Sequence, residues 1–291
     1  MIVTLTCNPA IDKTVSKNET LFSIGGKGIN VAKVLKVLGE EPLCTGFLGK
    51  ENGKIITDGL EELKIANHFI EVDGKVRTNT KIIENDQLTE RNEKGPDVSE
   101  KNVRQLLDCL SQFHDDIIVI SGSAPKNLKT DFYGKIIDLL KQNNNKVILD
   151  CDGEMFARAL AYRPDVIKPN EDEICRYLGI EYNRKRIIEE CAKMDIPMIC
   201  ISLGAEGSIF IDGDDVYEVR PQKVEYASAV GAGDAMVAAM AYGMAHSLNL
   251  LEMIQLASAC ASASVETRGT ETPAYERIMR HLKNTEVNKY E

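Results

Sequence analysis

The feature that most constrains this chain is a regular alternation of short β-branched runs with longer apolar runs of helical spacing. Ile2 to Thr6 alternates as a first strand. The next helix opens at Gly25-Gly26-Lys27-Gly28-Ile29-Asn30, places Ile29, Val31, Val34, Leu35 and Leu38 at helical spacing, and stops at Gly39. Leu43 to Leu48 reads as a strand and Gly53 to Leu63 as a helix. After Ser99 the pattern continues with helix Glu100 to Leu110, strand Ile117 to Ile120, helix Leu128 to Lys141 and strand Lys146 to Asp150. Helix Met155 to Ala161, strand Val166 to Lys168 and strand Met198 to Ser202 follow. A hairpin over Ser208 to Ile211 and Val216 to Val219 precedes three helices, Ala232 to His246, Leu250 to Val265 and Pro273 to Leu282. Strands separated by helical runs predict an α/β fold with a doubly wound, mostly parallel sheet.

One block breaks the alternation. His68 to Val72, Val76 to Ile83 and Gln87 to Arg91 read as consecutive strands, joined at Asp73-Gly74-Lys75 and Glu84-Asn85-Asp86. They predict a small sheet projecting from the main body; an antiparallel edge of the main sheet is the alternative. There is no internal repeat, low-complexity tract or flexible linker, so residues 1–291 are read as one domain.

Composition narrows the function. A chain of 291 residues that is 43% hydrophobic and 27% charged is ordinary for a globular protein. Its net charge of −10 and lack of a long basic run argue against nucleic acid and anionic membranes as partners. No apolar stretch approaches the roughly 18 residues of a spanning helix. The start lacks the basic region and cleavage site of a signal peptide, so a cytoplasmic location is expected. The cysteines at 7, 44, 109, 151, 175, 191, 200 and 260 form no Cys-x-x-Cys pair and sit mostly among apolar neighbours, which predicts reduced core residues. His68, His114, His246 and His281 show no metal-ligand spacing either.

Polar residues gather after the strands, where ligands of open α/β sheets bind. They are Asp12, Ser121 and Ser123, Lys168 and Asn170, Ser202 and Gly204, and the run Ala229-Val230-Gly231-Ala232-Gly233-Asp234. That last run leads small residues into an acid at a helix start. Its unpaired N–H groups and positive dipole end suit an anion, and Asp234 would stand beside it. A turn followed by a plain helix cap fits the same residues. Neither glycine-rich stretch is a P-loop or a dinucleotide fingerprint.

Six stretches in register resemble the PfkB (ribokinase-like) carbohydrate kinase family over essentially the whole chain. They are Asn8-Pro9-Ala10-Ile11-Asp12, Gly25 to Asn30, Ser121-Gly122-Ser123-Ala124-Pro125, Lys168-Pro169-Asn170-Glu171-Asp172-Glu173, Ser202-Leu203-Gly204-Ala205-Glu206-Gly207 and Gly231 to Asp234. The opening and the Lys81 to Pro96 region look most like the 1-phosphofructokinase and tagatose-6-phosphate kinase branch.

The resemblance implies a ribokinase-like core with a small β-sheet lid, formed by segments of about 12–24 and 68–95, that often also makes a homodimer contact. It implies ATP and magnesium, with Asp234 as the base and the Gly231, Ala232 and Gly233 amides as an anion hole. Sugar contacts would come from Asp12, Gly26, Lys27, Asn30, Arg77 and Ser123. Lys168, Ser202, Gly204 and Gly207 would serve the nucleotide, and Asn170 with Glu173 would arrange magnesium through water. Blander roles stand beside these: Asn170 could cap a helix, Glu173 could complement its dipole, Arg77 and Lys27 could be solvated, and Ser123 could be a turn residue. At a helix start, the Asp234 pKa is expected to be biased downward.

Two departures matter. Only Lys13 to Ile24 separate Asp12 from the glycine turn, too short for a hairpin of the usual size. Arg91 and Ala229 stand where the family more often has a branched apolar residue and threonine. The implied reaction is phosphorylation of a ketohexose phosphate, foremost fructose 1-phosphate to fructose 1,6-bisphosphate. Tagatose 6-phosphate, another sugar or a nucleoside, and a non-catalytic sugar- or nucleotide-binding regulator are the alternatives.

Overall fold

The computed structural model describes residues 1–16, 19–84, 87–220, 222 and 224–290. The chain opens with β1 (Ile2–Thr6), β2 (Ala10–Val15), β3 (Thr20–Gly25), α1 (Lys27–Val37), β4 (Leu43–Glu51) and α2 (Gly53–Glu62). Next come β5 (Ala66–Lys75), β6 (Arg77–Glu84), β7 (Gln87–Asn92), α3 (Glu100–Leu110), β8 (Ile117–Ser121), α4 (Phe132–Gln142), β9 (Lys146–Asp150) and α5 (Gly153–Ala159). Then follow β10 (Val166–Ile167), α6 (Glu171–Leu178), α7 (Arg184–Cys191), β11 (Met198–Ser202), β12 (Ser208–Asp212) and β13 (Asp215–Val219). The chain finishes with α8 (Ala232–Ala245), α9 (Leu250–Val265), α10 (Tyr275–Leu282) and β14 (Val287–Lys289).

The main sheet has ten strands in the order β14-β13-β12-β11-β10-β9-β8-β1-β4-β5. From β11 to β5 every neighbour is parallel, and β12, β13 and β14 add an antiparallel edge. Alternate residues feed opposite faces. Val3, Leu5, Ile118, Ile120, Val147 and Leu149 pack with residues of α3, α4, α5, α6 and α7. Ile2, Val119, Ile148 and Val166 pack with α1, α8, α9 and α10. Burial on both faces explains why these strands read as nearly unbroken apolar runs. Truncating a fully buried residue such as Leu35 to alanine is worth about 2–5 kcal/mol of stability.

The cysteines are all free. Burial pushes the Cys7, Cys44, Cys191, Cys200 and Cys260 thiols up to about 12, so they behave as packing residues. Among the described residues, no helix is long and apolar enough to cross a membrane.

The second sheet has four strands in the order β3-β2-β6-β7. Its make-up departs from expectation twice. Residues 66–75, expected to begin the small sheet at about 68, extend the main sheet as β5, parallel to β4. An alternating strand satisfies either partner, so its pattern does not choose. Gly49 permits the close contact at the end of this pairing, because a Cβ at that position would overlap the backbone of residues 74–76. The segment expected in the lid but judged too short for a hairpin of the usual size forms, with its flanking residues, β2 and β3, paired antiparallel over six residues each. The turn expected at Glu84-Asn85-Asp86 lies partly outside the described residues. Helices α6 and α7 and strand β14 carry weaker periodicity and come from the structure.

All the parallel strands end on one edge, which collects Asp150, Lys168, Ser202 and the residues just after β1 and β8. The amino termini of α1 and α8 reach the same edge.

Candidate active site

Asp150, at the carboxyl end of β9, is the centre of the charged cluster. It is 1% exposed, and its Oδ1 lies 3.2 Å from Lys27 Nζ and 3.4 Å from Lys168 Nζ. Ser121 Oγ donates to its Oδ2 at 3.2 Å. Burial opposes its ionisation, but Lys168, Lys27 and the two hydrogen bonds outweigh that and hold the carboxyl below its ordinary range. The same pairing raises the Lys27 pKa against desolvation. Two ammonium groups are thus fixed at the strand ends around one carboxylate.

Asp234 occupies the first turn of α8 and is 6% exposed. Gly231 caps the helix at φ 89°, a left-handed conformation that disfavours a side chain. Asn30 Nδ2 donates to Asp234 Oδ2 at 2.8 Å. The downward pKa bias expected from the helix dipole does not hold. Burial first and the Asp150 charge second raise Asp234 to about 6, despite Lys27, Asn30 and Lys168. Desolvation outweighs the dipole because the carboxyl is sealed in rather than at a solvated helix end. A base with a pKa near the working pH suits proton transfer from a hydroxyl.

Lys168 and the α8 turn meet at Gly233. A Cβ there would lie 3.1 Å from Lys168 Nζ, so the glycine lets the ammonium sit against the turn without giving way. The first-turn N–H groups of α8 and this ammonium lie together in a corner beside Asp234, an arrangement of donors that suits an anion.

A cavity of about 220 Å³ opens next to this corner, lined by Thr6, Asn8, Lys27, Arg77, Ser121, Gly122, Ser123 and Asp152. Arg77 starts β6 and donates from Nε to the Asn8 carbonyl at 3.1 Å. Asp12, on β2, accepts from Asn79 Nδ2 at 3.0 Å. Burial raises its pKa, opposed by Asn79, Lys81, Lys33 and Arg77. The oxygens Thr6 Oγ1, Asn8 Oδ1, Asn30 Oδ1 and Asn79 Oδ1 are buried without a hydrogen-bond partner among the described residues. Unpaired acceptors beside fixed cations suit a ligand with several hydroxyls and an anionic group.

The remaining predicted residues flank this centre. Asn170 and Glu173 form a reciprocal capping box on α6: Glu173 N donates to Asn170 Oδ1 at 2.8 Å and Asn170 N to Glu173 Oε2 at 2.9 Å. The capping role foreseen as the blander reading is therefore present, and it holds Glu173 where its charge reaches Lys27. Ser202 bridges to Asn170 across β11 and the end of β10. Gly204 and Gly207, at φ 54° and 95°, frame the turn that closes with Leu203 N donating to Gly207 O.

With Asn170 Oδ1 and Glu173 Oε2 accepting from the capping-box amides, these donors suit magnesium through intervening water rather than by direct ligation. The oxygens of Asp150, Asn170 and Glu173 are hard ligands. Among the described residues, no three His, Cys, Asp or Glu side chains converge as a direct metal cage.

Sequence reasoning missed Asp150, Thr6, Asn8 and Asp152. Asp150 was open to discovery, being an acid at the end of a predicted parallel strand, the same position that singled out Asp12.

The sequence pattern of the pfkB family carbohydrate kinases matches residues 1–277. A curated relative, tagatose-6-phosphate kinase of Staphylococcus epidermidis, is 32% identical and covers 99% of this chain and 100% of its own. Among solved structures, a possible 1-phosphofructokinase of Thermotoga maritima superposes with a TM-score of 0.90 at 27% identity, covering 100% of both chains. Phosphofructokinase-2 of Escherichia coli, solved with substrates and products, gives a TM-score of 0.91 at 25% identity over 97% of this chain and 98% of its own.

Proposed function

The chain belongs to the pfkB family of carbohydrate kinases, and from that premise we propose that it transfers the γ-phosphoryl group of ATP to a ketohexose phosphate, foremost fructose 1-phosphate at its 6-hydroxyl. The observation that carries the reading is the corner where buried Asp234, pushed to about 6, faces the Lys168 ammonium beside Gly233. It opens next to a cavity bearing Lys27 and Arg77.

Asp234, oriented by Asn30, takes the proton from the sugar hydroxyl. The hydroxyl oxygen attacks the γ-phosphorus, the bond to the β–γ bridging oxygen breaks, and ADP carries away the electron pair. The Gly231, Ala232 and Gly233 amides and Lys168 stabilise charge on the transferring group, and the Ser202, Gly204 and Gly207 turn receives the nucleotide. Magnesium held through water by Asn170 and Glu173, with Asp150 nearby, would neutralise phosphate charge. Asp12, Asn30, Gly26 and Lys27 engage the sugar hydroxyls, while Arg77 and Ser123 take its phosphate.

Tagatose 6-phosphate is the second reading, favoured by the 32% identical Staphylococcus epidermidis relative. A homodimer through the lid is also proposed, because Leu21 and Phe22 on edge strand β3 are 54% and 65% exposed. A cytoplasmic location suits the ATP substrate and the free cysteines.

The test is an ATP-consumption assay with magnesium against fructose 1-phosphate, tagatose 6-phosphate, fructose 6-phosphate and unphosphorylated hexoses. Preferred turnover of fructose 1-phosphate supports the first reading, and preferred turnover of tagatose 6-phosphate supports the second. Turnover confined to unphosphorylated sugars overturns the sugar-phosphate assignment.

A further inference from the structure

Lys33 is a charged residue on the buried face of α1. It is 8% exposed, between Ala32 and Val34, which are 0% and 5% exposed. Its Nζ donates to the Ile24 carbonyl at 2.5 Å. Ile24 is the next-to-last residue of β3, just before Gly25 ends the strand and Gly26 leads into α1, and its side chain belongs to the apolar cluster of Ile11, Ile29 and Ile56. An isolated buried ammonium is costly, and a methionine of similar length would fill the volume without that cost.

What the ammonium holds is the backbone that seats Asp12. In the β2–β3 hairpin, Ile11 pairs with Ile24 and Ala10 with Gly25. The Asp12 carboxylate lies directly over Gly25, where any Cβ would overlap it. The charges around the two residues form one field. The Lys33 charge is felt by Asp12 on β2, Asp234 on α8 and the Cys44 thiol on β4, while Lys81, Arg77 and Asn79 of β6 also act on Asp12.

We propose that Lys33 is a positioning residue for sugar binding: anchored on the Ile24 carbonyl, it fixes the β3–α1 junction and so the seat of the Asp12 carboxylate. The proposal rests on the reading of Asp12 as an acceptor of sugar hydroxyls. With its ammonium bonded to the Ile24 carbonyl, Lys33 acts through Asp12 and the junction.

The test compares Lys33→Met and Lys33→Arg with the wild-type chain in two measurements. Initial rates should show the KM for the ketohexose phosphate rising by about tenfold in Lys33→Met, with the KM for ATP within about twofold, and Lys33→Arg recovering most of the loss. Hydrogen exchange in the free protein should quicken at the amides of residues 20–26 in Lys33→Met and stay slow in Lys33→Arg. Lys33→Gln serves the same comparison should the methionine variant not fold. Equal rises in both KM values, or unchanged exchange at 20–26, overturn the proposal. If the wild-type chain consumes no ketohexose phosphate, the functional reading fails, and the exchange data alone decide the anchoring of the junction.

Discussion

Asn30 Nδ2 donates a 2.8 Å hydrogen bond to Asp234 Oδ2, joining residues 204 positions apart in the sequence. The bond ties the first turn of α1, which follows the small sheet, to the first turn of α8, which carries the proposed base. Since Asn30 is also a sugar contact in the proposed function, sugar and base are aligned through one side chain.

The pH dependence of turnover follows from that environment. Asp234 must be ionised to accept a proton, so kcat should fall as pH drops through about 6, its raised value. The Asn30 bond opposes the rise. Asn30→Ala should therefore move the acid limb of the kcat profile to higher pH as well as lowering its plateau. An acid limb left unmoved by Asn30→Ala would detach Asp234 from the observed titration.

Stability carries the opposite signature at the same residue. Asp234 titrates at about 6 in the fold and near the ordinary 3.8 when unfolded. Between those values the folded chain keeps a proton that the unfolded chain has lost, so this group makes stability fall as pH rises. Asp234→Asn removes the buried charge and should stabilise the fold at pH 8 by about 1–3 kcal/mol, an advantage that vanishes below pH 4. Thermal unfolding of both proteins at the two pH values checks it.

Asp150 should matter as much for folding as for rate. Replacing it with alanine leaves Lys27 and Lys168 adjacent and unneutralised, with Ser121 Oγ losing its acceptor. A loss of about 3–5 kcal/mol is expected, read as a fall in Tm on the order of ten degrees. Asp150→Asn keeps the acceptor for Ser121 and should lose less.

Gly25→Ala probes the sugar side. The added Cβ overlaps the Asp12 carboxylate, so the side chain must swing from its place against Asn79. The KM for the sugar phosphate should rise at least about tenfold while the KM for ATP stays nearly constant. Steady-state kinetics with each substrate varied in turn makes the comparison.

Much of this was legible in the sequence because the parallel strands are buried on both faces and carry their polar residues at one end. That pattern placed Lys168, Ser202 and Asp234 on the same edge, whereas Asp12, expected there too, stands on β2 of the small sheet. Strand β5 was assigned to the wrong sheet because alternation records one buried face and not which neighbour covers it. The β2–β3 hairpin was underestimated because segment length was weighed and pairing was not. The pKa of Asp234 lay beyond the sequence altogether. Its sign depends on how completely α1, Asp150 and the two lysines enclose the carboxyl, and only the folded arrangement brings those groups together.

The central claim is that Asp234 is the base of a ketohexose-phosphate kinase. The most direct test measures bisphosphate formation from fructose 1-phosphate and ATP by the wild-type chain and Asp234→Asn, with ATP binding by both followed calorimetrically. The account predicts that turnover drops by about a thousandfold or more in Asp234→Asn while the ATP Kd changes little. Turnover by Asp234→Asn at the wild-type rate would contradict it.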